Sequence, residues 1–553
     1  MLTPHIRDIA RDQETIRQVD EAVRADDIPR AIDLSRKALV DGLEHPMLYN
    51  LRSYWLEQQG RLKEALVDIE RAVAMAPDHF TVQNAYGIML AKLSHGREAV
   101  AAFRKATELT PDFAPAHFNL GWSNEGIGAI EEAERNFERA VELEPRHAHA
   151  MAYLADLAYR RGDWARAGEM ADRALAIDPN RHLAIATRAH VAIAQKDLAK
   201  AEYILEHVAD NGPVPRMEQA MLSGILGELR HEQGRYGEAF AAHTAANTLK
   251  KTLFAHYDTP GRENTATHLA WLIEYFRTAP AEQWKAQRDR KPVPGDDHGG
   301  AAQHVFLVGF PRSGTTLLEN ILASHPQVAA LEEKELMGPT FREFMTNARG
   351  RAQLAQTQTK DLQKHRQHYW DCVRGFGLDV RGKVFIDKHP LCSIRLMLVA
   401  KLFPRAKILF AIRDPRDVVL SCYRRSYMMN FSLFEFLTLE RAAAFYDGTM
   451  ELSRIEHEKM GLDWHWLRHE ALVENFEAEL RKVCDFIGLD WAPEMNDFAE
   501  HAKSRHIATP SALQVMRGLN SSSVGAWRNY KEQLAPILPV LEPWVKAYGY
   551  PPD

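Results

Sequence analysis

Two short segments of this 553-residue chain carry residues whose types and spacing could bind an anion. The first, Val308-Gly-Phe-Pro-Arg-Ser-Gly-Thr-Thr316, lies between an apolar run and a helical stretch. Its glycines permit a tight turn with converging N–H groups, and a helix N-terminus behind it adds partial positive charge. Gly309 and Gly314 are spaced as in the nucleotide-binding pattern GxxxxGK[ST], but Thr315 stands at the lysine position, whose ammonium reaches the β- and γ-phosphates. Nucleoside triphosphate hydrolysis is thereby disfavoured, and Arg312 inside the loop points to a different anion. The plain alternative is an ordinary Gly/Pro strand–helix turn. The second segment runs Ala411-Ile-Arg-Asp-Pro-Arg-Asp-Val-Val-Leu-Ser-Cys-Tyr-Arg-Arg425. Arg413 leaves the end of an apolar run, while Ser421 and Arg425, four apart, share a face of the following helix. Two guanidiniums and a hydroxyl can converge on one phosphate through charge-assisted hydrogen bonds. Alternatively, Arg413 pairs with Asp414 or Asp417 as surface ions.

Both segments need a sheet to hold them. HVFLVGF, KVFID and AKILFAI are short apolar runs, each followed by a helical segment. That alternation predicts an α/β domain with a mainly parallel sheet from residue 304 to 553, which binds ligands at the carboxyl ends of its strands. The preceding chain follows another period. Pro77, Pro111, Pro145, Pro179 and Pro213 recur every 34 residues, with Ala65, Ala99, Ala133, Ala167 and Ala201 each twelve residues earlier. A 34-residue period with this alanine–proline pattern resembles the tetratricopeptide family and predicts an α-helical solenoid over residues 1–250. Small residues let paired helices cross closely, and each proline ends a helix. Residues 251–303 read as a connecting helix and a Gly/Pro-rich linker.

Together, PRSGTTLLENILASHPQV, LEEKEL, IDKHP, LFPRAKILFAIRDPRDVVLSCYRR and the late TPSALQV block resemble the sulfotransferase family, closest to its tyrosylprotein branch. The resemblance implies an α/β P-loop-like domain and the co-substrate 3′-phosphoadenosine 5′-phosphosulfate (PAPS), with no metal. It places Arg312, Ser313, Gly314, Thr315 and Thr316 on the 5′-phosphosulfate, and Arg413, Ser421 and Arg425 on the 3′-phosphate. It makes Glu333 the general base, in preference to Glu332 or Glu335, with Arg312, Lys388 and Ser511 stabilising the transition state. Without the resemblance, Glu333 reads as one of three acids opening a helix. His389 is the rival base, and His325 reads as structural. Two departures touch the nucleotide pocket: His469 and Ala526 replace a tyrosine and a lysine common in the family.

Composition narrows the alternatives. The apolar and charged fractions, 46% and 26%, are those of a folded globular chain. With 69 Lys and Arg against 75 Asp and Glu, the net charge of −6 provides no general field for nucleic acid. Four cysteines without a CxxC pair exclude a disulfide framework and fit a reducing compartment. No apolar run reaches the ~18 residues of a membrane span, and the N-terminus lacks a signal-peptide core; a cytoplasmic location is expected. The expected acceptor is a hydroxyl, with a polypeptide ahead of carbohydrate or lipid, and the solenoid groove is expected to hold a peptide or protein partner. The competing functions are a P-loop kinase or NTPase and a scaffold with a vestigial transferase domain.

Overall fold

A computed structural model describes residues 9–208, 212–259, 264–287, 298–504, 512–516, 518–519, 521 and 523–552. Two compact units emerge: Met1–Tyr159 with Asp163–Val191, and Arg160–Gly162 with Ala192–Asp553. No helix among the described residues is long and apolar enough to cross a membrane.

The first unit consists of helix pairs, for example Phe80–Lys92 with Gly96–Leu109 and Ala114–Gly126 with Ile130–Leu143. The repeated alanines Ala65, Ala72, Ala99, Ala106, Ala133, Ala140, Ala167 and Ala174 are all fully buried. They lie where helices touch, so a larger side chain there would overpack the crossing at a cost of about 1–3 kcal/mol. Helices end at Met75, Leu109, Leu143 and Ile177, each two residues before a repeated proline, as the periodicity requires.

The second unit is built on five parallel strands: β1 (Gln303–Gly309), β2 (Val328–Glu332), β3 (Val384–Lys388), β4 (Lys407–Ile412) and β5 (Asp463–Arg468), in the order β2-β3-β1-β4-β5. Residues alternate between two cores. Val305, Leu307, Ile386 and Leu409 enter one, with Leu318 and Ile321 of the helix Thr315–Ala323. Phe306, Val308, Phe385 and Phe410 enter the other, with Phe445 and Leu452 of the long helix Leu439–Met460. β1, β3 and β4 are the three expected strands. The edges β2 and β5 are additional, and β2 ends within the LEEKEL segment. That segment does not open a helix: Glu332 ends a strand, Glu333 adopts a left-handed backbone (φ 43°), and the next helix begins at Gly338. All strands being parallel, their carboxyl ends share one edge of the sheet, and the candidate residues gather there.

Candidate active site

The loop after β1 is fixed by steric necessity. A Cβ at Gly309 would lie 2.5 Å from the Ala411 carbonyl of β4, and one at Gly314 (φ 95°) would lie 2.7 Å from His469 Nδ1. Only glycine can bring the backbone so near to both neighbours. Gly314 caps the helix Thr315–Ala323 without a side-chain hydrogen bond. Gly314, Thr315 and Thr316 line a cleft of about 840 Å³, and Ser313 is buried beside them. Arg312 adopts φ 71°. Its Nε donates to Ser421 Oγ at 3.0 Å and its Nη2 to Gln514 Oε1 at 2.9 Å.

Arg413, at the end of β4, is 6% exposed, so its pairing is not a surface one. Its guanidinium donates to the carbonyls of Arg312 (3.3 Å) and Ser523, and Nη2 lies 3.8 Å from Asp417 Oδ2. Its buried Nε has no hydrogen-bond partner among the described residues. Asp414 is engaged elsewhere: it caps the helix Pro415–Arg424 and binds Arg416 at 2.7 Å. Asp417 also accepts the N–H groups of Gly525 (2.6 Å) and Trp527 (2.8 Å), which anchors the late segment containing Ala526. Arg425 lies just past the helix end with an extended backbone (φ −88°, ψ 144°), rather than on the helical face of Ser421. Its Nη1 lies 3.4 Å from Glu228. Arg312, Ser421, Arg413 and Arg425 thus belong to one cationic cluster. Burial, then the charges of Arg425 and Arg413, lower the Arg312 pKa to about 10.

A contrasting cluster occupies the ends of β2 and β3. Lys388 is fully buried, with its ammonium 2.7 Å from Glu333 Oε1, 3.2 Å from Glu332 Oε1 and 3.8 Å from Glu319 Oε2. Burial opposes its charge, but the three carboxylates prevail and raise its pKa above that of an ordinary lysine. The sheet sets this geometry: Glu332 stands opposite Lys388 in the parallel register, and the Glu333 N–H donates to the Lys388 carbonyl at 2.7 Å. Among the rival bases, Glu335 pairs with Arg395 at 2.7 Å. All three acids line the cleft, but the Glu332 side chain is 13% exposed and the Glu333 side chain 39%. Glu319 escaped the sequence reading, because its role comes from a buried contact with Lys388, a residue distant in the chain.

Histidines fall into distinct classes. His325 is structural: its Nδ1 accepts from the Gln327 N–H at 3.0 Å and its Nε2 lies 3.1 Å from the Asp490 carbonyl. His389 lines the cleft with a buried Nδ1 lacking a partner among the described residues; burial, then Arg395, lowers its pKa. His469 faces the Gly314 turn, and burial, then Arg413 and Arg312, hold its pKa at about 3, so the ring is neutral. Ser511 lies outside the described residues.

Leu391, Ile394, Met428, Phe431 and Leu433 add apolar surface to the cleft. Met428 is 88% and Phe431 51% exposed, and the Phe431 ring packs edge-on against Tyr257 at 4.7 Å.

Residues 304–493 match the sulfotransferase family, and residues 16–80 and 125–182 match the tetratricopeptide repeat. An uncharacterized protein of Aquifex aeolicus is 25% identical over 363 residues, covering 63% of this chain and 44% of that protein. Protein-tyrosine sulfotransferase A of Caenorhabditis elegans is 22% identical over 274 residues, covering 47% of this chain and 70% of that protein. The protein-tyrosine sulfotransferase of Drosophila melanogaster is 24% identical over 275 residues, covering 45% and 53%.

Proposed function

Residues 304–493 form a sulfotransferase-family domain behind a tetratricopeptide array, and from that premise we propose that the chain transfers a sulfuryl group from PAPS to a hydroxyl acceptor. The observation that carries this reading is the clustering of Arg312, Arg413 and Arg425, with Arg312 donating to Ser421 and the buried Arg413 Nε still unpartnered among the described residues, beside a glycine-capped helix N-terminus. Such a site fits a ligand with two anionic groups. The loop from Arg312 to Thr316 would hold the phosphosulfate end; Arg413, Ser421 and Arg425 would hold the 3′-phosphate. When bound, PAPS supplies an activated sulfuryl group joined to a phosphate leaving group.

The chain's own residues then have defined work. Glu333 Oε accepts the proton of the acceptor hydroxyl as the new O–S bond forms, a contribution of about 10²–10⁴-fold. Lys388 holds Glu333 in place and presents a cation near the charge that builds on the leaving oxygen, as does Arg312. Ser511 would add one hydrogen bond. Thr315 in place of a lysine argues against the kinase or NTPase reading. An intact Lys388–Glu333 pair argues against a vestigial domain. The apolar lining residues Met428, Phe431 and Leu433 favour a hydroxyl on an aromatic or apolar-flanked group, such as a tyrosine in a polypeptide. The array would serve to bind that polypeptide or another protein.

Calorimetry of the full chain with adenosine 3′,5′-bisphosphate, followed by ³⁵S transfer from labelled PAPS into phenols and peptides, tests the reading. Binding and label transfer are expected; no heat at millimolar nucleotide would remove it.

A further inference from the structure

The helical hairpin Arg216–Glu232 and Tyr236–Leu253 lies in the second compact unit, with the sheet. It grips the end of the helix Pro415–Arg424 and the two residues beyond. Thr244 Oγ1 lies 2.7 Å from the Tyr423 hydroxyl, and Asn247 Nδ2 donates to the Tyr423 carbonyl at 2.9 Å. Phe240 stacks on the Tyr423 ring with centroids 5.3 Å apart. Glu228 lies 3.4 Å from Arg425, and Lys250 Nζ donates to Ser426 Oγ at 2.7 Å.

Lys250 is the unusual member. It is 5% exposed, and its hydrogen bond among the described residues goes to a neutral hydroxyl rather than a carboxylate. Burying an ammonium on so weak a partner is costly, and an apolar side chain would serve packing better. The charge does have one geometric effect. Ser426 Oγ accepts from an ammonium, which has no lone pair, so the hydroxyl must aim its own proton elsewhere. Ser426 is exposed and lines the cleft that Arg312 and Arg413 line, directly after Arg425.

We propose that Ser426 is a further binding residue for the anion held by Arg413, Ser421 and Arg425, and that Lys250 is a positioning residue that turns the Ser426 hydroxyl proton toward that anion. The hairpin thereby becomes part of the donor site. This rests on the PAPS reading, with the anion as the 3′-phosphate.

The test uses full-length chain and two nucleotides, adenosine 3′,5′-bisphosphate and adenosine 5′-phosphate, in calorimetry. Ser426→Ala and Lys250→Met should each weaken the bisphosphate about 5–20-fold, and the double variant should lose no more than the worse single one, because the two act as one device. Adenosine 5′-phosphate affinity should change less than two-fold. Ser426→Ala alters an exposed side chain, so it reads out even if Lys250→Met fails to fold. Unchanged bisphosphate affinity in Ser426→Ala, or losses that add in the double variant, would overturn the proposal while leaving the PAPS reading intact. Wild-type chain that binds neither nucleotide would overturn both.

Discussion

One cluster holds a single ammonium ringed by three carboxylates; the other holds three guanidiniums, of which Arg312 donates to the Ser421 hydroxyl. In the Lys388 cluster the ammonium attracts all three carboxylates, so its charge is held without a ligand. In the Arg312 cluster like charges gather: burial first, then Arg425 and Arg413, pulls Arg312 to about 10, and the cluster gains most from an added anion. Carboxylates pinned on a buried lysine suit a group that handles a proton in a fixed place, and excess positive charge suits capture of an anionic co-substrate. Damage to the two clusters should therefore register in different measurements.

The largest effect is expected for Lys388→Met. It strips the buried Glu319 and the nearby Glu332 and Glu333 of their common cation, and breaking a buried pair in this way costs about 3–5 kcal/mol. Denaturant titration should show that loss and ³⁵S transfer should vanish; wild-type stability would break the contrast outright. Next comes Glu333→Gln, which leaves Glu332 and Glu319 on the lysine. Turnover should fall about 10²–10⁴-fold with nucleotide affinity within two-fold, and wild-type turnover would remove Glu333 as base. In the other cluster, Arg413→Ala should weaken adenosine 3′,5′-bisphosphate about 10–100-fold, and adenosine 5′-phosphosulfate far less. Equal losses would show that Arg413 does not address the 3′-phosphate.

The smallest effect is on pH dependence. His469 and His243 are held at about 3 and His231 at about 4, each chiefly by burial. Unfolded histidines titrate near ~6.5, so below that pH the unfolded chain binds protons that the folded chain refuses. Stability from these groups is complete above about 6.5 and is lost as pH falls toward 4. Urea midpoints at pH 7.5 and 5.0 should reveal the drop, and His469→Gln should flatten the slope. An unaltered slope would mean that the ring beside the guanidiniums is not kept neutral.

Much of this architecture was legible in advance, for identifiable reasons. Helix crossings leave a periodic trace, so Ala99 and Ala133 announced their burial from spacing alone. The central strands β1, β3 and β4 are covered on both faces and read as unbroken apolar runs. The edges gave no such signal: β5, Asp-Trp-His-Trp-Leu-Arg, alternates polar with aromatic residues, and β2 passes directly into acids. Arg312, Ser421 and Arg413 could be named because each sits in a compact local motif. Glu319, Glu228 and Lys250 could not, since each acquires its role only through a partner 55 or more positions away in the chain, and single-sequence patterns carry no record of such encounters.

The pairing of Glu332 with Lys388 as opposite rungs of neighbouring strands has a thermal consequence. Sliding β2 by one position would turn Glu332 to the face of the sheet away from Lys388, so partial slippage cannot leave this centre intact. Heat inactivation should then follow melting of the sheet itself, with residual turnover and strand ellipticity disappearing over the same few degrees.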